Sequence, residues 1–153
     1  MPTLEYFLVC ESVSTDQETN RISLFNILED IHMLPPGQPG VILAQLVAVC
    51  CWNRESGDED QDFQATLRIH APNGAEPQEF AMNFRMERPR YRLSLRFQGI
   101  PKLEPGVLRF ELLLNGKHVA WHTVNVSRVP QPLSTDSPPH NTAGEENTGG
   151  NIE

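Results

Sequence analysis

The chain has 153 residues and a formal net charge of −8. That length fits one domain with a tail and leaves room for a core without disulfide staples, while the acidic balance argues against a general nucleic-acid binder, whose footprint is basic. The opening residues carry no basic segment, the first apolar run (Tyr6 to Val9) is too short for a secretory h-region, and no apolar stretch reaches the roughly twenty residues of a membrane-crossing helix.

In chain order, Leu4 to Val13 (LEYFLVCESV) reads as a first strand, with Phe7, Val9 and Val13 on one face and Tyr6, Leu8 and Cys10 on the other. Ser14 to Arg21 is wholly polar and reads as a hairpin loop. Ile22 to Met33 follows as a long second strand whose alternation changes phase, because Phe25, Ile27 and Ile31 share one phase while Ile22, Leu24 and Leu28 share the other. A bulge near Asn26 reconciles the halves.

The run Val41 to Trp52 (VILAQLVAVCCW) is the most apolar stretch and predicts a central strand. Its flanks are turn residues, with Pro35, Pro36, Gly37, Pro39 and Gly40 before it and Asn53 after it. Its own Val41, Ile42, Val47 and Val49 favour a pleat. Alternation places Ile42, Ala44, Leu46, Ala48, Cys50 and Trp52 on the core side. The other phase, Val41, Leu43, Gln45, Val47, Val49 and Cys51, faces outward, and it is too apolar to meet water without a cover.

Asn53 to Gln61 is an acidic loop. Beyond it Phe63, Ala65, Leu67 and Ile69 alternate with polar residues, as do Phe80, Met82, Phe84 and Met86, and then Tyr91, Leu93, Leu95 and Phe97, which is the pattern of half-buried antiparallel strands. Val107 to Leu114 and Lys117 to Val126 are joined by Asn115-Gly116, the dipeptide suited to a two-residue type I′ turn. After Arg128 the composition turns to Pro, Ser, Thr, Asn and Gly. Residues 129–153 hold four acids (Asp136, Glu145, Glu146, Glu153) and no Lys or Arg, so a disordered acidic tail is expected behind a domain spanning residues 1–128.

About eight strands and no convincing helix predict an all-β fold, an antiparallel β-sandwich of the immunoglobulin-like or C2-like kind, with a barrel as the alternative. The segment YFLVCESVSTDQETNRISLFNILEDI, Tyr6 to Ile31, resembles the opening of a family of small bacterial proteins classed as a domain of unknown function. Shared features are a strand ending near a carboxylate, a polar hairpin, and a strand of the form leucine, aromatic, small polar, aliphatic before an acid and isoleucine. The resemblance covers most of residues 4 to 126; it implies a bacterial β-sandwich and no particular activity.

Chemical motifs are sparse. Asp58, Asp60 and Asp62 have the D-x-D-x-D spacing of calcium ligands, but Phe63 stands where an EF-hand loop needs glycine and Ile69 where it needs its bidentate glutamate, so a solvated loop is the favoured reading and no metal is expected. His118 and His122 would share one face of a strand about 13 Å apart, too far to hold one ion. Cys10, Cys50 and Cys51 lack C-x-x-C spacing and read as small hydrophobes. Adjacent residues on a strand point oppositely, so Cys50 and Cys51 do not bridge each other, and a reduced cytoplasmic protein is expected. No nucleophile elbow or phosphate loop occurs, so no catalytic residue and no cofactor is expected.

Two surfaces remain. The first is the apolar outer phase Val41, Leu43, Gln45, Val47 and Val49, which suggests a noncatalytic interaction or scaffold module that self-associates or binds a protein partner, with no nucleic acid or membrane involved. The second is a group of five arginines among the chain's twelve cationic side chains: Arg85, Arg88, Arg90, Arg92 and Arg96. If the strands that carry them pair, they form a patch for a carboxylate, a phosphate or an acidic partner.

Overall fold

The computed structural model describes residues 1–33, 45–98, 100 and 103–130. Nine strands appear among them: β1 (Thr3–Thr15), β2 (Ile22–Ile27), β3 (Asp30–Met33), β4 (Leu46–Asn53), β5 (Asp62–His70), β6 (Gln78–Arg85), β7 (Arg90–Phe97), β8 (Gly106–Leu114) and β9 (Lys117–Arg128). They form a β-sandwich of a four-stranded sheet ordered β2-β1-β4-β7 and a five-stranded sheet ordered β3-β9-β8-β5-β6. All described pairings are antiparallel except β3 with β9. Most of the predicted tail, and Val41 and Leu43, lie outside the described residues.

The long second strand of the sequence reading is two strands in two sheets. Asn26 takes φ 54°, a left-handed value that asparagine tolerates better than most residues, and its side chain donates to Glu11 at 2.6 Å. Just beyond, Leu28 donates its backbone N–H to Val9 at 2.8 Å and buries its side chain in the core. The chain thus passes from β2 on one sheet to β3 on the other, and the phase change in the sequence marks that crossing.

The core lies between the sheets. Leu46, Ala48, Cys50 and Trp52 of β4 enter it, as alternation predicts, together with Phe63, Ala65, Leu67 and Ile69 of β5 and Leu108, Phe110, Leu112 and Leu114 of β8. Fully burying such a side chain contributes about 1.5–3 kcal/mol. Trp52 donates its indole N–H to the Cys50 sulfur at 3.2 Å. Burial pushes the Cys50 thiol up to about 12 despite that hydrogen bond. The β8–β9 turn has φ 49° at Asn115 and 76° at Gly116, the positive pair a type I′ turn needs.

A second apolar cluster sits on the opposite face of the four-stranded sheet. Cys10, Val47 and Val49 are buried there, packed by Tyr6, Val13, Ile22 and Leu24. Val13 therefore shares a cluster with Cys10 and not, as strict alternation suggested, with Phe7 and Val9. Past Cys10 the β1–β2 hairpin folds back over the outer face of its own sheet.

Candidate functional site

The fold-back of the hairpin creates a cleft. Cys51 pairs with Tyr6 across the β1–β4 ladder. On a straight strand Thr15 would stand about 30 Å beyond Tyr6, yet Thr15 and Asn20 line the same cleft as Cys51. The other walls are Glu87, Arg88, Arg90, Tyr91, Arg92 and Ser94, and the cleft encloses about 480 Å³. The hairpin tip is braced by its own bonds. Asp16 accepts from the backbone N–H groups of Glu18 and Thr19 at 2.9 Å each, which hold its carboxyl below its ordinary value. Asn20, at φ 54°, closes the turn.

Three arginines converge because β7 alternates. Arg90 and Arg92 fall on its outward phase opposite Asn53 and Cys51, and Arg88 precedes the strand. Arg90 donates its Nε to the Cys51 sulfur at 3.3 Å and pairs with Glu5. The contact with Cys51 first, then that with Glu5, raises the guanidinium pKa. Cys51 in turn donates to Glu5 at 3.6 Å. Arg92 donates its Nε to the Tyr6 hydroxyl at 3.1 Å. That bond orients the side chain and leaves its terminal nitrogens without a hydrogen bond among the described residues. Arg88 is exposed and has no such bond among the described residues. A planar guanidinium held by Nε with its Nη groups free is arranged to take a carboxylate or phosphate side-on.

The five arginines of the sequence reading do not form one patch. β6 pairs with β5 and β7 with β4, so these successive strands lie on opposite sheets and do not pair with each other. Arg85 is accordingly committed to Asp62, with one of its two bonds at 2.9 Å. Arg96 sits farther along β7, opposite Val47, and does not line the cleft. The expected condition fails because the break at Pro89 is a crossover between sheets and not a hairpin turn.

The outer-face valines also differ from expectation. Val47 and Val49 are 2% and 0% exposed, covered by the hairpin, so they offer no open contact surface. Gln45 is exposed. Open apolar side chains on this sheet are instead Phe25 and Ile27 of the edge strand β2, 49% and 45% exposed.

The acidic loop divides its three aspartates. Asp58 is buried, with its carboxylate 2.8 Å from the Met1 α-ammonium and 3.0 Å from the Glu55 N–H. Burial works to raise its pKa, but these partners and Arg54 outweigh it and hold it low. Asp62 serves Arg85, and Asp60 is exposed. The three carboxylates thus do not converge on one point: Asp58 and Asp62 have different partners, and Asp60 faces solvent.

A polar cluster that sequence reasoning missed occupies the outer face of the five-stranded sheet. Glu111 of β8, 8% exposed, accepts from Arg68 at 3.2 Å, His70 at 2.9 Å and His118 at 3.2 Å. Burial acts to raise its pKa, but the hydrogen bond from His70, the charge of Arg68 and the bond from His118 bring it below the ordinary value. Both imidazoles flank Trp121, at centroid distances of 5.3 and 5.1 Å. His118 and His122 do not share a face, because the register shifts between Leu112 and Leu113 opposite this part of β9. His122 points into the core, bonded to the Leu28 carbonyl at 2.7 Å and edge-on to Phe7 and Phe110.

A serine and a histidine do meet at His32 and Ser127, 2.8 Å apart. Both are exposed on the β3–β9 pair, and neither lines the arginine cleft.

No protein-family model and no curated protein matches the chain. Among solved structures it is similar to a Pseudomonas fluorescens alkylpurine DNA glycosylase bound to DNA containing an abasic site analog, with a TM-score of 0.51 and 10% identity over 82% of this chain and 30% of that one. The chain thus spans less than a third of that protein, and the likeness is one of fold. An immunoglobulin-like protein from Pseudomonas aeruginosa is matched at TM-score 0.38 and 9% identity, over 83% of this chain and 97% of the other. None of the described residues forms a helix long and apolar enough to cross a membrane.

Proposed function

We propose that the protein is a noncatalytic binding module that captures an acidic group of a ligand or protein partner in the cleft between the β1–β2 hairpin and β7. The observation that carries this reading is the convergence of Arg88, Arg90 and Arg92 on one concave polar site, with Arg92 pre-oriented by Tyr6 and its terminal nitrogens open. Arg90 is neutralised by Glu5 and acts as wall; Arg88 and Arg92 supply the binding charge. Thr15, Asn20 and Ser94 add hydroxyl and amide groups around them. Binding and not catalysis is favoured because the cleft's one thiol, Cys51, is hydrogen-bonded between Arg90 and Glu5, with no histidine among the lining residues to serve as a base. Three free, buried cysteines suit a reducing compartment such as the cytoplasm.

The test is calorimetric titration of the full chain with inorganic phosphate and with a glutamate-rich peptide at low and at raised salt. Each charge-assisted hydrogen bond contributes roughly 1.5–3 kcal/mol, so Arg88→Ser with Arg92→Ser should weaken binding by about tenfold or more and flatten its salt dependence. Equal affinity in the double variant, or no binding of either probe by the wild type at low salt, would remove this reading.

A further inference from the structure

Two Asn-Gly pairs occur in the chain, Asn73-Gly74 and Asn115-Gly116, and both asparagines are exposed. In such a pair the glycine nitrogen has no side chain beside it, so it reaches the asparagine carboxamide more easily than the nitrogen of a larger residue does. The fold holds the two pairs differently. Asn115 is tied to another strand: its backbone N–H donates to the Gln64 carbonyl at 2.8 Å, and its Oδ1 accepts from the Gln64 N–H at 2.9 Å. Both bonds join the β8–β9 turn to β5, so freeing Asn115 means peeling that turn off its neighbour. Asn73 lies in the connection between β5 and β6, and its bonds are local. The Gly74 N–H donates to the Ala71 carbonyl at 3.2 Å, and Asn73 Oδ1 accepts from the Ala75 N–H at 3.0 Å. Because Ala75 directly follows Gly74, the second bond lays the carboxamide along the Gly74 peptide and polarises its carbonyl for attack.

We propose that Asn73 is a site of spontaneous deamidation in the folded protein, with water as the co-reactant, and that β5 protects Asn115 from the same reaction. The Gly74 nitrogen loses its proton and bonds to Asn73 Cγ; the Cγ–Nδ2 bond breaks and ammonia leaves carrying an equivalent proton, which gives a five-membered succinimide. Water then opens the ring. Cleavage between Cγ and the Gly74 nitrogen leaves aspartate in a normal chain. Cleavage between the main-chain carbonyl carbon and that nitrogen leaves isoaspartate, with the chain running through Cβ and Cγ. One carboxamide and one water are consumed, and one carboxylate and one ammonia are formed. The attacking species is the deprotonated amide, so the rate rises with pH. Opening a few local bonds in a connection costs less than detaching a turn from a neighbouring strand, and that difference separates the two sites. Neither asparagine lines the arginine cleft, so this inference and the proposed function stand or fall separately.

The experiment is timed incubation of the full chain at mildly alkaline pH, folded and in urea, followed by peptide mapping with mass spectrometry and chromatographic separation of aspartate from isoaspartate. In the folded chain Asn73 should convert at least about tenfold faster than Asn115. In urea the two should convert at similar rates, because both precede glycine and neither keeps its bonds. Gly74→Ala puts a methyl group beside the attacking nitrogen. It should slow conversion of Asn73 several-fold, in urea as well as in the folded chain, and leave conversion of Asn115 unchanged. Equal rates at the two sites in the folded chain, a faster Asn115, or an Asn73 that stays intact while the unfolded chain converts would each overturn the proposal. So would a gap between the sites that persists in urea, since the fold would then not be its cause, or a rate at Asn73 indifferent to Gly74→Ala.

Discussion

The four-stranded sheet turns an apolar outer face toward its own hairpin, and the five-stranded sheet turns a polar outer face toward solvent. On the first, Val47 and Val49 of β4 vanish under Val13, Ile22 and Leu24. On the second, Glu111 of β8 is satisfied by Arg68, His70 and His118 while Trp121 stays 46% exposed beside them. Both solutions remove the cost of a mismatched surface, one by covering it and one by hydrogen-bonding it. The difference explains where the cleft is: a hairpin that must fold back to shelter valines necessarily leaves a margin, and at that margin its tip meets the arginines of β7.

The largest expected effect lies under the hairpin. Val47→Glu would place a carboxylate among Cys10, Val49 and the hairpin residues, with Arg96, its cross-strand neighbour on β7, offsetting part of the burial cost. The expected cost is about 2 kcal/mol or more, read as a drop in the urea midpoint at nearly unchanged slope. Gln64→Glu, at an exposed position on the outer face of the five-stranded sheet, should stay within about 0.5 kcal/mol of the wild type. If both changes proved equally mild, the hairpin would not be a cover and the contrast between the faces would fail.

The next effect belongs to the polar face. Glu111→Leu deprives Arg68, His70 and His118 of their common acceptor, and since those groups are partly exposed they can rehydrate, so a loss of about 1–2 kcal/mol is expected. Its pH dependence has a definite sign. The folded-state pKa of Glu111 is depressed, so its stabilisation is present above the ordinary carboxylate range of about 4 and is lost as the pH falls through the lower folded value. Thermal denaturation of the two proteins should therefore converge in acid and separate near neutrality. A gap that widened on acidification would exclude the network as drawn.

These contrasts also show what the sequence could convey. Alternation along β4 placed Leu46, Ala48, Cys50 and Trp52 inward correctly because a two-residue period is local, and the oily second face of that strand correctly demanded a cover. The phase conflict at Asn26 pointed to an irregularity, though its scale, a change of sheet, depends on the parallel pairing of Asp30–Met33 with Asn125–Arg128, nearly a hundred residues away. Three of the five arginines were found in the cleft and two were not, because strand order decides whether Arg85 and Arg92 share a face. Thr15, Asn20 and Cys51 carried no local signal of a site; only the hairpin's fold-back joins them. His118 was misplaced by one register shift, since a single bulge inverts every face downstream of it.

The smallest expected effect would sharpen the comparison most. Asp16 braces the hairpin tip through the amides of Glu18 and Thr19, at an exposed position that belongs to neither core cluster. Asp16→Ala should leave the overall unfolding transition almost where it is and should loosen the tip alone, since local opening and global unfolding are separate events with separate free energies. Two adjacent thiols report on the two events. Cys50 lies in the central core, with its thiol pushed up to about 12, so a neutral alkylating reagent reaches it as a thiolate only when the domain unfolds. Cys51 lines the cleft beside Thr15 and Asn20 and is released by local movement of the hairpin. Peptide mapping after timed alkylation should show Cys51 modified several-fold faster in Asp16→Ala than in the wild type, with Cys50 unchanged. Equal acceleration at both cysteines would mean that the hairpin and the sandwich open as one unit, and the covered face would then be part of the core and not a separable lid upon it.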